Sequence, residues 1–343
     1  MRRHFTSSAL VVVLLIAVGA GAPNAIASGS QGGGIFHTTC AYSHSLPDDP
    51  IVHPNMPGTS HMHDFFGNAS TRAFSTLSSL QAATGNCTVH AADVHADRSG
   101  YWVPQLFFNG AATPIAEAQA YYESSVGNVA TPPTGLEVIG GDAHATAPLS
   151  TNEVKWTCSG SAGSIIGGQP APPTCPAGSL LKVVVKTPNC LANAQFADPG
   201  AMNDTPFTTY AFLTGGHCPN GYTPLPSVRI EVKYPAGVDG RGTITLASGA
   251  YYTMHADWFN AWDHATLDAF VQGCIDANID CGSTVPAVAS ATTTSSATST
   301  TSTTSTTSTT VLPTTVALAA TPCTVQLDTV RTGMCTGTFT PTP

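Results

Sequence analysis

Two short motifs in this chain place imidazole and carboxylate groups at alternating positions. One is His61-Met62-His63, and the other, far along the chain, is His255-Ala256-Asp257. Side chains two positions apart lie on the same face of an extended strand. Each motif therefore predicts a pair of polar groups on one side of a strand. Asp64 directly follows His63, so its side chain is expected to point away from the histidine pair.

The four polar side chains that the two motifs place at alternating positions match the ligand preferences of a transition metal ion. Three imidazoles and one carboxylate suit zinc or another divalent metal ion. We therefore expect a composite metal site made by His61, His63, His255 and Asp257. A metal ion in such a site activates a water molecule or polarises a sugar oxygen.

Two other interpretations of the same residues stay open. In a metal-free site, a histidine acts as general acid or base near neutral pH, with Asp257 or Asp97 orienting it. Asp97 and Asp257 are also the pair to test for a hydrolase that uses two carboxylates. In the third interpretation the imidazoles are structural and bond to backbone in a core rich in loops. The predicted catalytic set is His61, His63, His255, Asp257 and Asp97.

Aromatic side chains close to these motifs predict a surface that binds a sugar ring by stacking. Charged residues make up only 9% of the chain, and 20 acidic side chains outnumber 11 basic ones. Because no basic cluster occurs, a nucleic-acid partner is excluded, and a polysaccharide or glycan surface is the expected partner. The predicted stacking residues are Tyr101, Trp102, Trp258 and Trp262.

The N-terminus has the pattern of a secretory signal peptide. Arg2 and Arg3 precede a short apolar run, and small residues at Ala25 and Ala27 form a cleavage site after Ala27. This pattern predicts a secreted, extracellular protein, with association to the cell surface as an option. No later stretch is long and apolar enough for a membrane helix, so no integral membrane segment is expected after cleavage.

Ten cysteines in an exported chain indicate disulfide bonds. Their spacing favours two local pairs, Cys274–Cys281 and Cys323–Cys335, with Cys190–Cys218 as a third. Short apolar runs between Gly, Pro and Asn clusters predict many strands. One helix is predicted after Asp263, its N-cap. The expected fold is mainly β, a β-sandwich or jelly-roll-like single domain with long loops and few helices, stabilised by disulfides.

Composition divides the chain into five segments. Residues 28–34 are rich in Gly and Ser and predict a flexible N-terminus, and residues 282–320 predict a disordered stalk rich in Ser and Thr. The remaining boundaries are 1–27 for the signal peptide, 35–281 for the folded domain and 321–343 for a short tail closed by a disulfide.

Several motifs occur in an ordered set within residues 35–281: Asp49–Val52, Ser60–Gly67, Asp97–Pro104, Thr187–Cys190, Cys218–Pro219 and His255–Asp263. Together they resemble the DUF1996 family, secreted fungal and bacterial proteins with no assigned activity. The resemblance implies export and a single domain, and relatives often carry carbohydrate-binding modules. We therefore expect a carbohydrate-active enzyme, a hydrolase or lyase acting on extracellular or cell-wall polysaccharide. The alternative is a non-catalytic glycan-binding or cell-surface structural protein.

Overall fold

A computed structural model describes residues 34–89, 96–159, 165–194 and 210–282. Apart from single residues at their borders, the predicted signal peptide, flexible N-terminus, stalk and tail lie outside this range, and so does the Cys323–Cys335 pair. Within the described residues, every helix is too short or too polar to cross a membrane.

The larger of two main sheets has eight strands. Its strands pair antiparallel, apart from one parallel pair between β1 (Ile35–Cys40) and β20 (Asp280–Gly282). The alternating sequence of β16 buries Val228 and Ile230 on one face, while Arg229 on the other face pairs with Glu123. The strands, in sheet order, are β11 (Ile165–Gln169), β10 (Val154–Ser159), β12 (Leu181–Lys186), β16 (Ser227–Lys233), β8 (Glu117–Glu123), β1 (Ile35–Cys40) and β20 (Asp280–Gly282), with β4 (Cys87–Thr88) also paired to β1.

The second main sheet has five antiparallel strands and contains both His motifs. Its central strand, β5 (Gly100–Pro104), pairs on one side with β3 (His63–Gly67) and on the other with β19 (His255–Phe259). β5 therefore lies between the strands that carry the two motifs. In sheet order the strands are β2 (Tyr42–Leu46), β3 (His63–Gly67), β5 (Gly100–Pro104), β19 (His255–Phe259) and β9 (Glu137–Gly141).

Both faces of the five-stranded sheet are covered. Its inner face packs on the larger sheet, where the Tyr101 hydroxyl lies 2.6 Å from that of Tyr122 and the Tyr122 ring meets Trp258 edge-on. Its outer face carries a separate apolar cluster that includes Trp102 and Leu80. Burial on both sides explains why β3, β5 and β19 consist entirely of buried residues.

The remaining described elements are short. Asp263 caps the predicted helix by accepting a hydrogen bond from the Thr266 N–H, so this prediction is confirmed. The helices are α1 (Leu77–Ala82), α2 (His264–Phe270), a 3₁₀ turn (Tyr251–Thr253) and a π-helical turn (Val271–Asp276). A three-stranded sheet contains, in order, β14 (Tyr210–Ala211), β13 (Cys190–Ala192) and β15 (Tyr222–Pro224). A four-stranded sheet contains, in order, β18 (Gly249–Ala250), β17 (Ile244–Leu246), β6 (Leu106–Phe108) and β7 (Ala111–Thr113).

Four disulfides link the described cysteines. Cys274–Cys281 and Cys190–Cys218 confirm two pairs predicted from spacing. The other two pairs, Cys40–Cys87 and Cys158–Cys175, were beyond reach of the sequence: the first joins the paired strands β1 and β4, and the second joins β10 to a loop. A mainly β fold with antiparallel sheets, few helices and disulfides is therefore confirmed, and the disulfides accord with an extracellular protein.

Candidate functional site

The histidines of both motifs meet on the outer face of the five-stranded sheet. His63 begins β3 and pairs with Pro104, and His255 begins β19. His61 lies just before β3, in a segment without regular strand structure. The Gln105 N–H donates to the Met62 carbonyl beside it, which ties this segment to the sheet. Strand pairing through β5 thus brings His255 beside the His61 and His63 pair, although His255 and His63 are 192 residues apart in the sequence.

The Nε2 atoms of the three histidines converge on one point. Nε2 of His255 lies 3.2 Å from Nε2 of His61 and 3.3 Å from Nε2 of His63. All three lie within 4.8 Å of one another. For zinc–nitrogen bonds of about 2.0–2.1 Å in a tetrahedral site, ligand nitrogens lie about 3.3–3.4 Å apart. The two distances from His255 are therefore compatible with the edges of a tetrahedral metal site.

Backbone carbonyls determine which ring nitrogens carry a proton. Nδ1 of His63 lies 2.9 Å from the Asp48 carbonyl oxygen, and Nδ1 of His255 lies 2.9 Å from that of Thr253. A carbonyl oxygen only accepts hydrogen bonds, so each Nδ1 must donate. In the neutral rings, Nε2 of His63 and His255 then presents a lone pair. Two lone pairs facing each other at 3.3 Å cannot form a hydrogen bond, and a proton or a metal ion between them would relieve their repulsion.

Burial keeps the imidazoles neutral. Desolvation is the main cause that lowers the pKa of His61 and of His255 to about 4 and places the pKa of His63 well below its usual range. The neighbouring imidazoles lower these values further. All three rings therefore carry their lone pairs at neutral pH.

Asp257 supplies a carboxylate beside the histidines. It lies two positions after His255 on the same strand, and its Oδ2 is 3.9 Å from Nε2 of His255. Both of its oxygens are buried, and neither has a hydrogen-bond partner among the described residues. Burial, followed by the negative charge of Asp49, raises the pKa of Asp257 well above its usual range. A buried carboxylate without partners is costly unless a cation or a donor meets it.

A loop that the sequence did not single out for this purpose supports His63. The side chain of Asp48 accepts hydrogen bonds from the N–H groups of Gly58 and Ala73, while its carbonyl accepts from His63. The neighbouring Asp49 carboxylate accepts from the N–H of Ile51 and so stabilises a turn. The only signal for this role was the Asp48-Asp49-Pro50 turn sequence.

Gly141 lets β9 approach β19 at the site. Its φ of +81° lies in the left-handed region, and a Cβ there would lie 2.4 Å from the Met254 carbonyl oxygen and 2.8 Å from the His255 Cα. Any side chain would push β9 away from His255.

A cavity of about 310 Å³ gives access to the site from one side. His61, His255 and Asp257 line the cavity, whereas His63 is fully buried behind them. The rim adds further imidazole, hydroxyl and carboxylate groups, from His53, Ser60, Asp142, His144 and Ser248. A ligand therefore reaches the centre on the side of His61 and His255.

Asp97 and Asp64 lie away from this centre. Asp97 accepts hydrogen bonds from the Ser99 N–H and the Tyr101 hydroxyl in the core, and it does not line the cavity. Asp97 also lies near Cys40 and Cys87, but their sulfurs form a disulfide and are not free to bind a metal ion. Asp64 accepts from Ser45 on the inner face, which confirms that it points away from the histidines.

The four aromatic residues expected to stack on a sugar lie in the core. Each is at most 1% exposed, and none lines the cavity. A sugar stacks only on a ring face that it can reach, so burial argues against this role. The residues are Tyr101, Trp102, Trp258 and Trp262.

Residues 49–262 match a family model described as a domain of unknown function, DUF1996. The chain belongs to the DUF1996 family. The match includes both His motifs of the centre and ends just after β19. No curated protein and no solved structure gives a significant match to the chain. The function of this DUF1996 domain must therefore be argued from the site.

Proposed function

We propose that this DUF1996 protein is a secreted, metal-dependent enzyme that cleaves extracellular or cell-wall polysaccharide. The observation that carries the proposal is the contact between Nε2 of His63 and Nε2 of His255. Their Nδ1 atoms donate to carbonyls, so two lone pairs face each other across 3.3 Å. A divalent ion such as zinc, bound also by His61, turns this repulsive contact into shared coordination.

The carbonyl acceptors act as the outer support that metal-binding histidines commonly have. Each fixes the tautomer and the orientation of its ring before an ion arrives. His61, by contrast, is only partly buried, and its segment is tied to the sheet by the hydrogen bond from the Gln105 N–H to the neighbouring Met62 carbonyl. The chain thus provides two rigid ligands and a third at the cavity side.

Asp257 is the group best placed to handle a proton. Asp257 lines the cavity, its two buried oxygens lack hydrogen-bond partners among the described residues, and its Oδ2 lies 3.9 Å from Nε2 of His255, beyond hydrogen-bond distance. A metal ion at the three imidazoles would lower the pKa of a bound water and polarise a sugar oxygen. Asp257 would accept a hydrogen bond from that water or from a sugar hydroxyl and orient it.

The cavity chemistry supports a neutral sugar substrate. None of the described residues that line it is a lysine or an arginine, while Asp49 and Asp142 add negative charge. Apart from the proposed metal ion, phosphate and other strongly anionic ligands would meet no compensating positive charge there. Hydroxyls of a glycan would find imidazole, hydroxyl and carboxylate partners. The signal sequence and the disulfides support an extracellular polysaccharide as the target.

The direct experiment is a screen of wall polysaccharides for new reducing or unsaturated ends. We expect cleavage of at least one polymer by metal-loaded protein and its loss with a chelator or in His61→Ala. His61→Ala is the preferred variant because this side chain is only partly buried and its removal disturbs the core least. Binding without cleavage would instead support the non-catalytic glycan-binding or surface-structural alternative.

A further inference from the structure

Three neighbouring cavities extend from the histidine centre across the edge of the five-stranded sheet. The cavity at the centre shares Ile139 and Gly141 with a second cavity of about 210 Å³. The second shares Phe212 with a third of about 430 Å³. Ile139 and Gly141 belong to β9, the edge strand of the sheet, so the row of cavities crosses its open side.

The second cavity carries an exposed aromatic side chain in a fixed position. Phe212 is 39% exposed. It directly follows β14, and the next residue, Leu213, donates its N–H to the Asn189 side chain. The Asn189 N–H in turn donates to the Ala211 carbonyl. This backbone support places Phe212 at the cavity wall, where a sugar ring can stack on its exposed side chain.

The third cavity is polar without a net positive charge. Lys186 lines it, but its ammonium group forms a 2.7 Å ion pair with Glu123, which lines the same cavity. Amide and hydroxyl groups of Asn152 and Ser227 complete the lining. Such a surface offers hydrogen bonds to hydroxyl groups and no excess cation for an acidic polymer.

We propose that these three cavities form one extended cleft for a neutral polysaccharide chain. The chain lies on Phe212 and reaches the histidine centre with one of its glycosidic bonds. An exposed ring for stacking, amide and hydroxyl groups, and the pairing of Lys186, the one lysine or arginine among the described lining residues, together match a neutral glycan. The inference deepens the proposed function and rests on it for the cleavage step. It implies that oligosaccharides of several units bind better than disaccharides.

The test compares Phe212→Ala with Phe74→Ala, a control at another exposed phenylalanine that lines none of the three cavities. Binding is measured calorimetrically with the hexasaccharides and disaccharides of cellulose, xylan, laminarin and chitin. Chelator-treated protein is used, so the result does not depend on a bound metal ion. Loss of one aromatic contact, worth about 0.5–1.5 kcal/mol, weakens hexasaccharide binding by about 2- to 13-fold.

We expect wild type and Phe74→Ala to bind one hexasaccharide equally, Phe212→Ala to bind it more weakly, and the matching disaccharide to be unaffected by either change. Equal hexasaccharide affinity in all three proteins overturns the cleft, and so does the absence of binding to every hexasaccharide. Cleavage by wild type with no effect of Phe212→Ala leaves the proposed function standing and removes the cleft. If the protein as purified holds no metal ion but Phe212→Ala still weakens hexasaccharide binding, the cleft stands and the proposed metal-dependent function is removed.

Discussion

Removing His255 should abolish stabilisation of the protein by zinc. His255 makes both short Nε2 contacts of the centre, at 3.2 and 3.3 Å, so its loss leaves two imidazoles whose shared neighbour is gone. In wild type, zinc at 100 times its dissociation constant stabilises the folded state by about 2.7 kcal/mol. Because a domain of 150–250 residues gains about 2–4 °C per kcal/mol, we expect a rise in Tm of about 5–10 °C.

The assay is differential scanning calorimetry of chelator-treated protein at pH 7, with and without zinc. His217→Ala is the matched control, because His217 is exposed and does not line the cavity at the centre. We expect the rise in wild type and His217→Ala and none in His255→Ala. The reasoning is refuted if zinc leaves the wild-type Tm unchanged, or if His255→Ala shows the full rise.

Three further predictions follow from individual contacts. Asp257→Asn should leave the Tm of the metal-free protein unchanged or higher, because it removes a buried carboxyl without partners. The same change should weaken zinc binding, measured by titration, about 10- to 100-fold. Unchanged zinc affinity would exclude a role for this group. Gly141→Ala should cost about 1–3 kcal/mol in denaturant unfolding and also weaken zinc binding, because it strains β9 against His255; a neutral effect on stability would contradict this. Burial raises the pKa of Asp97 from 3.8 to about 6. As the pH rises, the unfolded chain therefore loses this proton before the folded chain does. The stability that the protonated Asp97 contributes at low pH is thus lost as the pH rises through 6. The free energy of unfolding of Asp97→Asn relative to wild type should therefore increase by about 2 kcal/mol between pH 4 and 7, and a pH-independent difference would count against it.

Local spacing predicted several parts of the fold and the site. The two-residue period correctly placed His255 and Asp257 on one face, and Asp263 correctly marked the start of a helix. His61 differs from the prediction, since it lies before β3, but its ring still lies beside that of His63, with the ring centroids 4.2 Å apart. These features depend on neighbours within a few residues, which the sequence shows directly.

Long-range pairing was beyond the sequence. Nothing in the His motifs indicates that β5 separates their strands, or that the Asp48 carbonyl fixes the tautomer of His63. Tyr101 and Trp102 occupy opposite faces of β5, and both faces are covered, which is why neither ring reaches a ligand. A periodicity identifies faces, but it does not say what packs on them.

The most direct test of the metal centre is the metal content of the purified protein. Protein secreted from cells grown in zinc-supplemented medium should contain one metal ion per chain by elemental analysis, and His61→Ala should contain far less at equal Tm of the metal-free forms. Wild-type protein without stoichiometric metal under these conditions would contradict the account, because the facing lone pairs of His63 and His255 would then have to be held together by the fold alone.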